Sequence, residues 1–417
     1  MNTAYLYIAR RLSLASEGNR ISPAVGVGIA AVALAVVVMA AAIAIVVGFK
    51  REITSKVAGF NSHIVVMPVP DPPAQSGAVG TLTLTPSLKS VLDSQPYIRE
   101  YSLQAAIPAI LKTPTDFKGV YLKSLSNAET REFIASAVTD GSLPDFEADS
   151  ARNLVAISRL AASRLGLKAG DRIDTYFIAD RIIVRPLKVA AVFNSHFDSY
   201  DDAFIFGSLD LIRDVAGLSP NEATSIAISV DDFADVEYNS AELRAALLDA
   251  YTQGLTYRMY DVVDARQSGA GYFHWLSMLD TNVIVVLTLM TIVAVITLIS
   301  GMLILMVDKV RVIALLSALG ASRKMIGRIF MLLAARIALI GLLIGDAASL
   351  LLLYTQKATH FIPLDPDSYY IDFVPVEISI PAMLLLNAGV LAIIWISLIL
   401  PSRFAGKAAP ARTLARE

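Results

Sequence analysis

The stretch DKVRVIALLSALGASRK, residues 308–324, decides how the rest of the chain is read. An apolar run ends at Val307, charges follow, a short Leu-rich segment intervenes, and another apolar run begins at Ile326. Val312, Leu315, Leu316 and Leu319 fall at i, i+3, i+4 and i+7, which predicts one apolar stripe on a short helix. Gly320 fits the residue just past a helix end, and Ser322 fits an N-cap for the helix that follows. Asp308, Lys309 and Arg311 flank the segment on one side, and Arg323 and Lys324 on the other. Two readings suit such a helix. It lies on the inner leaflet of a membrane with its basic residues on lipid phosphates, or it docks an exposed face into a groove on a cytoplasmic ATPase.

Working outward, the composition favours a membrane setting. The 417 residues are 55% hydrophobic and only 17% charged, with a mean hydropathy of +0.59. Soluble domains carry about 25% charged residues. A net charge of -2 argues against a nucleic-acid binder, which shows a basic face. The absence of cysteine excludes disulfides, thiolate metal sites, a cysteine nucleophile and lipid attachment to cysteine in this chain.

Pro23–Val47, Asn282–Val307 and Ile380–Leu400 are charge-free runs long enough to cross the hydrocarbon core. The first is longer than the apolar region of a cleaved signal peptide, about 7 to 15 residues. The stretch from Ile326 to Tyr354 is interrupted by Arg336 and Asp346. Each costs about 3 kcal/mol near the membrane centre, against about 0.3 to 0.6 gained per Leu, Ile or Phe. Nine Leu, five Ile and one Phe bring the sum close to balance, so this segment spans while leaning on its neighbours. Its Gly341 and Gly345 form a small-xxx-small face for close helix contact. Asp346 is open to two readings, a functional intramembrane acid or a hydrogen bond to a neighbouring helix.

Basic residues set the orientation. Arg10, Arg11 and Arg20 precede the first span; Lys309, Arg311, Arg323, Lys324 and Arg328 lie between the second and third; Arg403, Lys407, Arg412 and Arg416 follow the fourth. Both termini and the 308–325 segment are therefore expected in the cytoplasm. The expected order is a cytoplasmic N-terminal amphipathic segment (1–22), a first span (23–48) and an extracytoplasmic domain (49–278). A second span (281–307), the coupling segment (308–325), a third span (326–354) and a short outer loop (355–379) follow. A fourth span (380–400) and a cytoplasmic tail (401–417) complete the chain.

The roughly 230 residues of the insert have ordinary polarity, enough for one or two soluble subdomains. HIVVMPV, VYLKSL, NLVAI, RIDTYFI, PLKVAAVF, DAFIF and TSIAISV read as strands, and a Pro-rich loop, PVPDPPAQSG, follows the first. Ser158–Leu165, capped by Ser158 and stopped at Gly166, and Ser240–Tyr251 read as helices. The expected fold is thus a membrane protein of four transmembrane helices with a large mixed α/β domain inserted between helices 1 and 2.

No catalytic constellation emerges. His63, His196, His274 and His360 are scattered without metal-ligand spacing. The DSYDD run (198–202) lacks the glycine and terminal glutamate of a calcium loop and reads as a solvated turn. GVGIAA (26–31) lies inside an apolar run with no preceding strand, and no GxxxxGK[ST] loop exists. The chain is expected to bind no metal or cofactor and not to be an enzyme; ATP and Mg would belong to a partner.

Several further stretches resemble one family over essentially the whole chain. They are IARRL (8–12), IVVGFKREI (45–53), GFNSHIVV (59–66), the WLSMLDTNVIVV…LMVDK span, and IALLSALGAS (313–322). At the C-terminus Pro401, Ala405, Lys407, Pro410, Leu414 and Glu417 follow the same pattern. Together they resemble the permease subunits of lipoprotein-releasing ABC transporters (LolC/LolE type), within the MacB/FtsX superfamily. The resemblance implies a cytoplasmic ABC ATPase as partner, coupled through Asp308, Lys309, Arg311, Val312, Leu315, Leu316, Leu319, Gly320 and Ser322. It also implies a bacterial inner membrane as the setting, a second permease, identical or a sister chain, membrane lipids, acylated lipoproteins as substrate and a periplasmic lipoprotein carrier. Acyl chains would enter a cavity between the first two spans, walled by Val37, Met39, Ile43, Val46, Phe49, Val283 and Leu287. The second span would continue outward through Gly271 to Asp280. Two departures stand out: the family's Arg-Glu is Arg311-Val312 here, and Ser317 replaces a common basic residue. A MacB-like mechanotransmitter without a lipid cavity and an FtsX-like scaffold activating a cell-wall hydrolase are the alternatives.

Overall fold

The computed structural model describes residues 23–69, 80–178 and 182–405. The N-terminal segment 1–22 with Arg10, Arg11 and Arg20, most of the Pro-rich loop, and Lys407, Arg412 and Arg416 of the tail lie outside the described residues.

The first long helix runs Pro23–Asn61, 39 residues, or about 58 Å at about 1.5 Å per residue. That is nearly twice the roughly 30 Å of hydrocarbon. The helix therefore extends well past the expected first span of 23–48. KREITSK is made largely of residues that favour helix, and it continues outward as helix. Gly48 answers to packing: a Cβ there would lie 2.5 Å from the carbonyl oxygen of Pro375. The helix ends where Ser62 turns to φ 62°.

Among the described residues thirteen strands follow in the insert. They are β1 (Ile64–Pro68), β2 (Leu82–Thr83), β3 (Ile98–Gln104), β4 (Ala106–Lys112), β5 (Phe117–Ser124), β6 (Val138–Gly141) and β7 (Leu154–Ser158). Then come β8 (Arg172–Ile178), β9 (Ile182–Phe193), β10 (Phe204–Gly207), β11 (Glu222–Ala223), β12 (Ser225–Val230) and β13 (Tyr260–Asp264). Each expected strand is present. PLKVAAVF extends back to Ile182, and DAFIF loses Asp202 and Ala203 to a short helix, Asp198–Ala203.

One sheet has the antiparallel order β13-β1-β12-β3. Its first two strands pair Ile64 with Asp264 and Val66 with Val262, so the insert begins and ends on neighbouring strands. Ile64, Val66, Ile226, Ile228 and Val262 pack beneath Leu243 and Leu247 of the helix Val236–Thr252, which contains the predicted 240–251 segment. In the second sheet the pairings β4-β5-β10-β7-β9-β8 return to β4, so six strands form a ring with β6 on its edge. Alternation along β8 fills this ring: Ile173, Thr175 and Phe177 are buried between exposed neighbours. Ser158 caps the helix Arg159–Leu165 through Oγ to the Ala161 N–H at 3.1 Å, and Gly166 at φ 66° ends it.

Three further long helices follow: Ala270–Asp308, Arg323–Thr359 and Ile380–Ala405. With the first they are the four helices, among the described residues, long and apolar enough to cross a membrane. The second starts twelve residues before the charge-free run, so residues 271–280 continue it as helix. The last runs five residues past the apolar run, to Ala405. Val32, Val36, Met39, Leu298, Met302, Phe330, Ile337, Leu342 and Ile394 form the shared core of the bundle. The chain divides into two compact units, Arg51–His274 with Leu364–Asp372 forming one and the remainder the other.

Candidate coupling site and substrate path

The segment 308–324 folds as the sequence predicts in outline. The short helix is Val310–Ala318, Gly320 takes φ 87° just beyond it, and Ser322 Oγ accepts from the Met325 N–H at 3.3 Å. Its inward face is made by other residues than the stripe. Ile313 and Ala314 are the buried residues, and Ile313 joins the bundle core. Val312 and Leu316 are half-buried, while Leu315 and Leu319 are 61% and 77% exposed. The predicted stripe therefore straddles the helix, because bundle contact on one side and exposure on the other cut it lengthwise. Arg311, Leu315, Ala318 and Leu319 form the outward face, with Gly320 beside it. This is an apolar face carrying one guanidinium, held between two helix ends. Asp308 and Lys309 sit at the turn that aims it.

Gly341 and Gly345 face the first long helix. A Cβ on Gly341 would lie 2.8 Å from the Ile29 carbonyl oxygen, and one on Gly345 would lie 2.8 Å from that of Ala33. Arg336 is exposed on the third helix. Asp346 accepts from Asn387 Nδ2 of the fourth helix at 2.8 Å, the hydrogen-bond alternative of its two readings. Asn387 escaped the sequence reading, yet a depth count finds it. Asp346 lies eight residues before Tyr354 at the end of one predicted span, and Asn387 seven residues after Ile380 at the start of the next.

Of the predicted path residues, Met39 is buried in the bundle core, with Thr291 Oγ1 3.7 Å from its Sδ. Phe49 is buried and packs edge-to-face on Trp275, 6.1 Å between ring centroids. Val37, Ile43, Val46, Val283 and Leu287 are half-buried. Ile43 also lines a cavity of about 10 Å³ with Ala40, Leu353, Met383 and Leu386. That is room for one water.

The unit formed by Arg51–His274 and Leu364–Asp372 holds a polar and aromatic knot that the sequence did not announce. Phe60, Phe197, Tyr200 and Phe206 stack together with Tyr272 and Tyr370 at their edge. Lys56 Nζ donates to the carbonyls of Ser195 and Tyr370 at 2.7 Å each. Lys123 Nζ donates to the Phe60 carbonyl at 2.6 Å, and burial pulls its pKa down to about 8. The solvated-turn reading of 198–202 is corrected here. Asp201 is 1% exposed, accepting from Ser195 N at 3.0 Å and Ser195 Oγ at 2.6 Å. Burial pushes its carboxyl up to about 6. Asp202 pairs with the buried Lys118. His63 accepts from the Val230 N–H at 3.0 Å, and burial lowers its pKa. Among the described residues no group of three or more His, Asp or Glu is placed to hold a metal.

Comparison with known proteins covers the whole architecture. The MacB-like periplasmic core domain family matches residues 27–246, 220 of the 417 residues, and the FtsX-like permease C-terminal family matches 284–410. The chain is 24% identical over 388 residues to the lipoprotein-releasing system transmembrane protein LolE of Haemophilus influenzae, covering 88% of each. It is 22% identical over 389 residues to LolC of Xylella fastidiosa, covering 89% of each. Among solved structures, the extracellular domain of the noncanonic ABC-type transporter YknZ aligns at TM-score 0.34 and 13% identity, over 49% of this chain and all of that one. The periplasmic region of MacB from Actinobacillus actinomycetemcomitans aligns at TM-score 0.34 and 11% identity, over 52% of this chain and 94% of that one.

Proposed function

Because the chain belongs to the MacB/FtsX superfamily of ABC-transporter permeases, we propose that it is a permease that extracts acylated lipoproteins from the outer leaflet of the inner membrane and passes them to a periplasmic carrier. The observation that carries this reading is the similarity to LolE and LolC across nearly the full length of each chain. In this reading the termini are cytoplasmic, a second permease completes the path, and a separate ATPase supplies the work. That work is substantial: each buried CH₂ is worth about 0.8 kcal/mol, so lifting one long acyl chain takes on the order of 10 kcal/mol.

The residues divide the task. ATP-driven closure of the ATPase pushes on the face formed by Arg311, Leu315 and Leu319. Two elements transmit the push. Ile313 and Ala314 tie the short helix to the bundle core, and the Ala270–Asp308 helix runs unbroken from this segment to the insert. Val37, Ile43, Val46, Val283 and Leu287 wall the path as the first two helices part. Apolar walls of this kind accept flexible chains without reading their headgroups.

The test of the coupling step is Leu315→Asp. Leu315 is exposed, so the substitution spares the fold, whereas Leu316→Asp would place a charge at a half-buried position. Burying a leucine is worth about 1.5 to 3 kcal/mol, so affinity for the co-expressed ATPase is expected to fall about tenfold or more. ATPase binding and stimulation equal to wild type would exclude this face as the contact.

A further inference from the structure

Resting on the lipoprotein-release reading, the structure also points to what governs entry between the first two helices. Lys50 lies two residues beyond the predicted end of the first span, and Asp280 one residue before the predicted start of the second, so both sit at the outer membrane surface. Lys50 Nζ is 2.6 Å from each carboxylate oxygen of Asp280. The side chains are 41% and 51% exposed. Beside them the Phe49 ring packs edge-to-face on Trp275.

Below this point one face of the second helix is open: Thr281, Asn282, Ile284, Val285, Thr288 and Leu289 are all exposed. The next polar contact between the two helices is Thr291 with Met39, about 16 Å further in at about 1.5 Å per residue. Val283 and Leu287 on the second helix occupy the interval; both are half-buried, Leu287 against the bundle core. The first two helices are thus clasped at the membrane surface over an apolar seam.

We propose that Lys50 and Asp280 form a latch across the outer mouth of this seam, which must open to admit an acyl chain. The ammonium and carboxylate lie at headgroup depth, where water and ions compete for both. An exposed pair of this kind holds weakly, so it can part under the pull of a substrate or the push of the ATPase. The aromatic contact beside it is apolar and survives loss of the charges, so the ion pair is the part that senses ionic surroundings.

The test uses the full chain with its ATPase in liposomes carrying a fluorescent diacyl lipopeptide as probe. Because the chain has no cysteine, Lys50→Cys/Asp280→Cys can be bridged by a short bis-methanethiosulfonate linker without background labelling. Bridging is expected to stop ATP-driven release, and reductant to restore it, which also shows that the double variant folds. Asp280→Asn is expected to raise ATP-independent entry of the probe about two- to fivefold, and Lys50→Asp/Asp280→Lys to return it to the wild-type rate. Release at the wild-type rate from the bridged protein would overturn the latch while leaving lipoprotein release standing. No probe release by the wild-type complex would instead remove the reading on which the latch rests, and the latch with it.

Discussion

The contact between the third and first helices yields a quantitative expectation. Valine at 341 would put its Cβ 2.8 Å from both the Ile29 carbonyl oxygen and Val32 Cβ. That is about 0.7 Å inside a comfortable carbon–carbon separation of about 3.5 Å. The two further methyls meet Val32 Cγ1, already 3.1 Å from the Cβ position. Backbone lies on one side of the clash, so rotamer change cannot relieve it and the helices must separate. Overpacking of this kind costs about 1 to 3 kcal/mol, and a backbone clash places it near the top of that range. Valine regains only about 0.4 kcal/mol of helix propensity over glycine. The net loss of about 2 to 3 kcal/mol corresponds to a shift of about 30- to 150-fold in the folding equilibrium. Unfolding in mixed detergent micelles measures it, with Gly389→Val as control, since nothing lies within 4 Å of a Cβ there. Equal stability of the two variants would refute the close-packing argument.

Other expectations concern buried polar groups. The Asp201 carboxyl titrates at about 6 in the fold, above its ordinary 3.8. Between those values the folded chain holds a proton that the unfolded chain has released, so this group makes stability fall as pH rises from about 4 to about 6 and flat above. Asp201→Asn is expected to abolish that slope in unfolding measured at intervals across the window; a slope unchanged from wild type would show that the carboxyl is not the cause. For Asp346 and Asn387, a double-mutant cycle with Asp346→Ala and Asn387→Ala should give a coupling of about 0.6 kcal/mol and not above about 1.7. Zero coupling would mean that the hydrogen bond does not join the third and fourth helices.

The large elements were legible because their signals are local. Twenty-residue apolar runs, alternation in RIDTYFI and the Ser158 and Gly166 caps each specify structure within a few residues. The helical extension from Lys50 to Asn61 was missed because polar helix and polar loop have similar composition, and only the insert's end-strand pairing of Ile64 with Asp264 fixes where the chain must arrive. The apolar stripe of 308–324 identified a helix correctly. It did not show which residues face the bundle, because Ile313 and Leu315 are equally apolar and only the neighbouring helices distinguish them. Asp201 reads as a solvated acid in isolation; the fold buries it against the backbone N–H and hydroxyl of Ser195, six residues earlier. Asn387 was hidden by its ordinary residue type, although its depth matches that of Asp346.

The central claim is release of acylated protein. Its most direct test is mass spectrometry of everything that co-purifies with the chain in mild detergent, before and after trapping with ATP and vanadate. The account predicts acylated lipoproteins bound beforehand and lost on trapping, with an ABC ATPase present in both states. An ATPase accompanied by a cell-wall hydrolase, with no acylated protein in either state, would contradict it.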